Sequence, residues 1–283
     1  MIILVILGLI AFVIFLILFI KYKVFKSYLL SCFKYGNVIV YGKKRKGKDL
    51  LFQYVINQRD DYYYANIPYG NEYELIPLTE VSVYPNTYDN FVNENLKEIE
   101  RRFYDTKDIY ISDVGNFLPS NMDTQLHKRY PSMPILYSLS GHLYANNIHC
   151  NSQNLDRVWK ALREQADTYI CINKRTIKLF GCIFITRMIV YDKYETAKNN
   201  ILPMKKRLLN KYSKALYDDF QAKNGNITKG YIIQFKKDLH YDTRYFEKLV
   251  FKDKPRKIFG EEVEEVSQAD VKVVENPSTN ENN

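Results

Sequence analysis

The chain opens on an unbroken apolar run. Met1 to Ile20 carries no charge and a single glycine, and as a helix it is long enough to cross the hydrocarbon core of a bilayer. It lacks the basic n-region, short h-region and small-x-small site of a signal peptide, so an uncleaved anchor is expected. Tyr22 to Tyr35 then alternates bases with large apolar residues. Either an amphipathic helix on a membrane surface or a basic linker fits that spacing. From Asn37 the pattern changes to short β-rich runs separated by helical periods. Strands are predicted at 37–41, 62–67, 108–113, 147–151 and 168–172, with a short edge strand at 75–83. Helices are predicted at 49–57, 91–104, 133–143 and 155–167, the last capped by Asn154. This alternation predicts an α/β fold with a mostly parallel sheet, helices on both faces and ligands at the carboxyl ends of the strands. Further on, a hairpin turning near Gly181 is expected over 177–191, and a polar helical stretch interrupted at Pro203 over 194–223. Two more strands are expected at 231–235 and 246–251. Glu261 to Asn283 is acidic and lacks aromatics, and reads as a disordered tail.

Charge adds an orientation. Lys21, Lys23 and Lys26 follow the apolar run directly, so the positive-inside rule places Met1 outside and the rest of the chain in the cytoplasm. The net charge of +9 divides into +15 over residues 1–260 and an acidic tail whose only base is Lys272. Such an excess suits anionic lipid headgroups or nucleic acid. The four cysteines, Cys32, Cys150, Cys171 and Cys182, form no C-x-x-C pair and have no histidine at metal-ligand spacing. The last three lie in apolar strand-like runs and are expected to be buried thiols in a reducing compartment.

The candidate chemistry starts at Gly42-Lys43-Lys44-Arg45-Lys46-Gly47-Lys48-Asp49, between the first predicted strand and helix. Strand, glycine-bounded loop and helix N-terminus are the setting of a phosphate-binding P-loop. Gly42 and Gly47 permit the backbone path, the loop N–H groups turn toward a phosphate, and Lys48 reaches the β/γ-phosphates. The last position calls for a Ser or Thr hydroxyl on Mg²⁺. Asp49 stands there instead, and a carboxylate is itself a Mg²⁺ ligand. Lys43, Lys44, Arg45 and Lys46 either offset its charge or form a solvated basic loop. Asp113 ends an apolar strand about sixty residues downstream, where a P-loop NTPase carries its Mg²⁺-side carboxylate. Many such ATPases follow that Asp with a glutamate that orients the attacking water; here the next residue is Val114. Gln153, past another strand, either contacts the γ-phosphate or its water, or caps a helix. Arg157 and Arg163 either reach a neighbouring subunit's nucleotide as an arginine finger or pair with Asp156, Glu164 or Asp167. His142 and His149 read as structural.

Four segments in order, VIVYGKKRKGKDLL, YYYANIPYG, IYISDVGNFLPS and LYANNIHCNSQNLDRVWKALREQAD, resemble the zonula occludens toxin-like (Zot-like) ATPases, the assembly ATPases of filamentous phages. The resemblance covers about residues 37–192. It implies a Walker A loop at Gly42 to Asp49, a strand end at Asn66-Ile67-Pro68, a Walker B Asp113 trailed by Phe117-Leu118-Pro119, and a polar sensor at Ser152-Gln153. It further implies a RecA-like P-loop core using ATP and Mg²⁺, the ion held through water by Asp113, with Asp49 as a further ligand on the carboxylate chemistry above. The expected assembly is a homo-oligomeric ring at the host inner membrane. There it would extrude single-stranded DNA virions with a coat or channel protein. Asp49 and Val114 depart from the family pattern, as does a membrane span placed before the ATPase domain rather than after it. The expected organisation is a transmembrane helix at 1–20, a basic juxtamembrane segment at 21–36, the ATPase domain at 37–192, an α+β extension at 193–260 and the tail at 261–283. Three other readings stay open: a nucleotide-binding scaffold with weak or no hydrolysis, a DNA-packaging or conjugative translocase, and a phosphotransferase, since some P-loop nucleotide kinases carry Gly-Lys-Asp.

Overall fold

A computed structural model describes residues 2–59, 63–69, 73–75, 99, 107–118, 120, 147–204 and 211–239. The helices expected at 91–104 and 133–143, the strand expected at 246–251, His142 and the acidic tail lie outside these stretches, apart from isolated positions.

The apolar run and the basic segment after it form one helix, α1 (Ile2–Tyr35), of 34 residues. Its first part is apolar enough to cross a membrane, and the side chains from Ile6 to Ile20 are exposed. The second part is neither a surface helix nor a linker. Phe25, Leu29 and Phe33 recur at intervals of four and are buried, so this end of α1 packs on the rest of the protein through one stripe.

β1 (Val38–Tyr41) leads through the glycine loop into α2 (Lys48–Arg59). β2 (Tyr63–Ala65), β3 (Tyr73–Leu75), β4 (Ile109–Ile111), β5 (Ile148–Ser152) and β6 (Thr168–Cys171) complete the parallel part of the sheet. β7 (Ile177–Leu179), β8 (Ile183–Tyr191) and β9 (Ile227–Phe235) pair antiparallel. The sheet runs β3-β2-β4-β5-β1-β6-β8-β7, with β9 also paired to β8. Every residue of β1, β2, β4, β5 and β6 is buried, as expected for a parallel sheet covered on both faces. β8 instead alternates buried positions with half-buried or exposed ones as far as Val190. The hairpin turns at Phe180 and Gly181, both at positive φ.

Two expectations change and one holds. The helix expected over 155–167 is broken. Asn154 caps a 3₁₀ turn over Leu155–Arg157, its side chain accepting from the Asp156 N–H at 3.3 Å. Val158 is then extended, Trp159 is non-helical, and both are fully buried; only α3 (Lys160–Glu164) is helical. Burial of the large Trp159 ring outweighs the local helical period. The polar stretch after β8 is interrupted around Pro203 as expected, leaving α4 (Tyr194–Lys198) and α5 (Lys211–Asn224). Cys150 and Cys171 are buried as expected, whereas Cys182 is exposed, because it sits in the β7–β8 turn rather than in a strand.

The parallel register sets the site's edge. Tyr41 stands opposite both Ser152 and Cys171, and Ile111 opposite Cys150. The carboxyl ends of β1, β4 and β5 therefore open at one rim. β5 separates β1 from β4.

Candidate functional site

The Gly42 N–H donates to the Ser152 carbonyl at 3.2 Å and carries the β1–β5 ladder one residue beyond the strand. Its φ is 153°, and a Cβ there would overlap the Ile172 carbonyl oxygen; only glycine fits. The loop turns through Arg45 (φ 59°) and Gly47 (φ 99°), with Lys43, Lys44 and Arg45 exposed. Lys48 opens α2 and is buried, its Nζ folded back over the loop to donate to the Gly42 carbonyl at 3.2 Å. The hairpin side braces the loop. Thr176 Oγ1 donates to the Lys46 carbonyl at 3.1 Å and shares a 3.0 Å hydrogen bond with Thr186. A glycine-bounded loop leading into a helix start, with a lysine ammonium laid across it, is suited to an anionic phosphate.

Beside the loop lies a polar cluster. Asp49 Oδ1 accepts three hydrogen bonds: from the Ser112 hydroxyl at 2.7 Å, Asn151 Nδ2 at 2.8 Å and the Tyr69 hydroxyl at 3.0 Å. Asn151, fully buried, also donates to Ser112 Oγ at 3.2 Å and accepts the Asp113 N–H at 2.8 Å. Asn66 clamps the Ser112 backbone on both sides, accepting its N–H at 2.7 Å and donating to its carbonyl at 3.0 Å. Asp113 is left-handed (φ 47°, ψ 45°) and starts a 3₁₀ turn over Val114–Asn116. A non-glycine residue held in that region where strand ends converge suggests a functional position.

The expected residues thus gather at one rim, with one difference. The strand-end residue bonded to Asp49 is Ser112, and Asp113 stands one residue further on. Gln153 is half-buried past β5, on the same edge. Arg157 is exposed and donates to Asn116 Oδ1 at 2.9 Å. Arg163 is engaged with the Asp156 carbonyl at 3.3 Å, the Asp156 carboxylate at 3.7 Å and the Tyr194 ring, 5.6 Å from its centroid. Sequence reading missed Asn151, Ser112, Tyr69, Thr176 and Thr186. Their roles depend on which strands become neighbours, and no local spacing encodes that. Asn66 was marked only through the family resemblance.

The donor set fits Mg²⁺. Among the described residues no group of three or more His, Cys, Asp or Glu lies together as a closed cage. Mg²⁺ needs no such cage, because it keeps several waters and takes one or two carboxylates plus substrate phosphates. Asp49, next to Lys48 at the head of α2, would be the carboxylate that holds such an ion.

A parallel sheet with β5 between the loop strand β1 and the strand β4, the glycine-bounded loop and the lysine at the start of α2 define a P-loop NTPase core with RecA-like strand order. The chain matches no protein-family model and no curated protein. Among solved structures it is similar to the genome packaging NTPase B204 of Sulfolobus turreted icosahedral virus 2 in complex with ATP-gammaS. That match has 13% identity and a TM-score of 0.36, and covers 62% of this chain and 98% of the other. It is also similar to the N-terminal domain of zonular occludens toxin from Neisseria meningitidis, at 8% identity and a TM-score of 0.37, over 74% of this chain and 96% of that one. A third similarity is to ATPases 2 and 3 of EssC from Geobacillus thermodenitrificans, at 9% identity and a TM-score of 0.33, covering 79% and 46%. Overlaps this loose carry no weight on activity, and the P-loop class rests on the chain's own strand order and loop.

Proposed function

We propose that this chain is a membrane-anchored P-loop ATPase of phage morphogenesis that binds ATP with Mg²⁺ and drives the assembly or extrusion of single-stranded DNA virions. The observation that carries the nucleotide part is the loop from Gly42 to Lys48, with the Lys48 ammonium buried across it. An isolated buried ammonium is costly, and phosphate oxygens are its natural counter-charge. Gly42 to Asp49 hold the β- and γ-phosphates in this reading. Gln153 lies near the γ-phosphate, and Asp113 serves the catalytic centre. The membrane part is supported by the exposed apolar length of α1. The virion and DNA parts follow the Zot-like resemblance and the +15 of residues 1–260. A ring of subunits would bring Arg157, exposed at the same edge, toward a neighbour's nucleotide. Arg163, already held by Asp156, is less well placed.

The test is nucleotide binding and phosphate release by the full chain in detergent micelles. The wild type binds a fluorescent ATP analogue, and Lys48→Ala loses that binding by about 100-fold or more, the weight of a charge-assisted contact to a polyanion in a desolvated site. Equal affinity in both proteins overturns the P-loop reading. Stimulation of phosphate release by single-stranded rather than duplex DNA separates virion extrusion from packaging or conjugative translocation.

A further inference from the structure

The two departures in the active site, Asp49 where a hydroxyl is expected and Val114 where an acid is expected, have one structural cause. P-loop NTPases hold Mg²⁺ between a helix-borne Ser/Thr hydroxyl and a strand-borne Asp. In this chain the helix position carries Asp49 and the strand-end residue facing it is Ser112, joined Oγ to Oδ1 at 2.7 Å. The pair still holds one carboxylate and one hydroxyl, each in the other's place. Asn151 donates to both at once, at 2.8 and 3.2 Å, and the Asn66 clamp holds Ser112 in register. Asp113 then falls directly after the metal-side strand residue, the position from which an acid orients the attacking water. Its backbone is turned left-handed there and pinned by Asn151 Oδ1 at 2.8 Å. Val114, fully buried, is a core residue and vacates nothing.

Resting on the ATPase reading above, we infer that Asp49 and Ser112 are a reciprocally exchanged metal pair and that Asp113 is the water-orienting carboxylate. In the reaction a water oxygen forms a bond to the γ-phosphorus and the bond from that phosphorus to the bridging oxygen breaks. ADP leaves with the electron pair. The water proton passes to Asp113 or to the phosphate released.

The experiment measures affinity for a fluorescent ATP analogue with Mg²⁺ and with EDTA, alongside phosphate release, in the full chain. Asp49→Asn should lose the Mg²⁺-dependent gain in affinity by at least about tenfold. Asp113→Asn should keep that gain while phosphate release falls by about 100-fold or more. The double exchange Asp49→Thr with Ser112→Asp should bind with the gain restored, which controls for misfolding of the single variants. Loss of the Mg²⁺ gain in Asp113→Asn but not in Asp49→Asn overturns the exchange and makes Asp113 the metal carboxylate. Failure of the double exchange to recover what Asp49→Thr alone loses also overturns it. If the wild type binds no nucleotide, or if Lys48→Ala binds as well as wild type, the ATPase reading itself falls.

Discussion

At the opposite end of the strands, Asp108 gathers three side chains, Arg59, Asn147 and His149. It pairs with Arg59 at the end of α2, accepts the Asn147 N–H at 2.9 Å, and lies 3.4 Å from Nε2 of His149 in β5. Arg59 in turn donates to the Phe33 carbonyl in the last turn of α1 at 3.1 Å. Burial opposes the charge on Asp108, but the His149 hydrogen bond, the Arg59 guanidinium and the Asn147 N–H hold its carboxyl below the usual range. His149 is fully buried, and burial pulls its imidazole below 6.5 despite Asp108. Both shifts act in the same direction. The unfolded chain binds a proton at His149 near pH 6.5 that the folded chain refuses, so stability is full above that pH and falls below it. The slope is at most about 1.4 kcal/mol per pH unit. Asp108 adds its own loss only below 3.8, as pH falls through its folded pKa. Melting temperature should therefore decline from pH 7.5 to 5.5, and His149→Gln should flatten that decline. An unchanged slope in the variant removes His149 as the cause. His149 shows why the residue scale is only partly legible in sequence. The phosphate loop reads directly from contiguous residues, because its chemistry lies in backbone N–H groups and one lysine. Ser112, Asn151 and the Asp108 partners gain their contacts when β4 and β5 become neighbours, so the strand-end residue bonded to Asp49 could not be read from local spacing.

At the scale of elements, α1 and α2 form one unit. Tyr22 and Tyr54 share a hydrogen bond of 3.1 Å, Lys26 donates to Gln58, and the Phe33 ring packs edge-on against Phe52 at 6.3 Å. Across the other flank, Tyr22 stacks on Tyr231 of β9 at 5.8 Å, and the Phe25 ring lies against Gly230, where a Cβ would collide with it. The 25, 29, 33 stripe was visible as a pattern. Its basic neighbours made a lipid surface or a linker fit equally well, since a sequence does not name what an apolar stripe faces. Gly230→Val should expel Phe25 and destabilise the protein by about 1–3 kcal/mol, the usual cost of overpacking. Because the clash is with one ring, adding Phe25→Ala should recover part of that loss. A double-mutant cycle followed by thermal unfolding in micelles should give a coupling of about 0.5 kcal/mol or more. Strict additivity would mean that α1 and β9 do not depend on this contact. The loop opens α2 at Lys48, and α1 packs along the body of that same helix, so the apolar helix and the loop are joined through α2.

For the molecule as a whole, that packing would set the geometry at a membrane if α1 spans one as proposed. A 34-residue helix is about 51 Å long at 1.5 Å per residue, and the hydrocarbon core takes about 30 Å of it. What remains is about the length from Lys21 to Tyr35 that packs on α2 and β9. The basic residues Lys21, Lys23 and Lys26 fall at this junction, and under the proposed anchoring they would meet the headgroups on the side of the P-loop core. Orientation therefore has a direct readout in a native thiol. Cys182 is exposed in the β7–β8 turn, and Cys150 and Cys171 are buried. Burial also pushes the Cys150 thiol up to about 12 and the Cys171 thiol up to about 11, which lowers their reactivity further. In a Cys32→Ser background, a membrane-impermeant maleimide should label Cys182 in inverted inner-membrane vesicles and leave it unlabelled in intact spheroplasts. Cys182→Ser should abolish the signal. Labelling from the outside would place the phosphate loop away from cytoplasmic ATP, and with it the ATPase reading would fail. Labelling in neither preparation, with labelling restored by detergent, would mean that the hairpin is covered in the assembled state, as a neighbouring subunit of a ring would cover it.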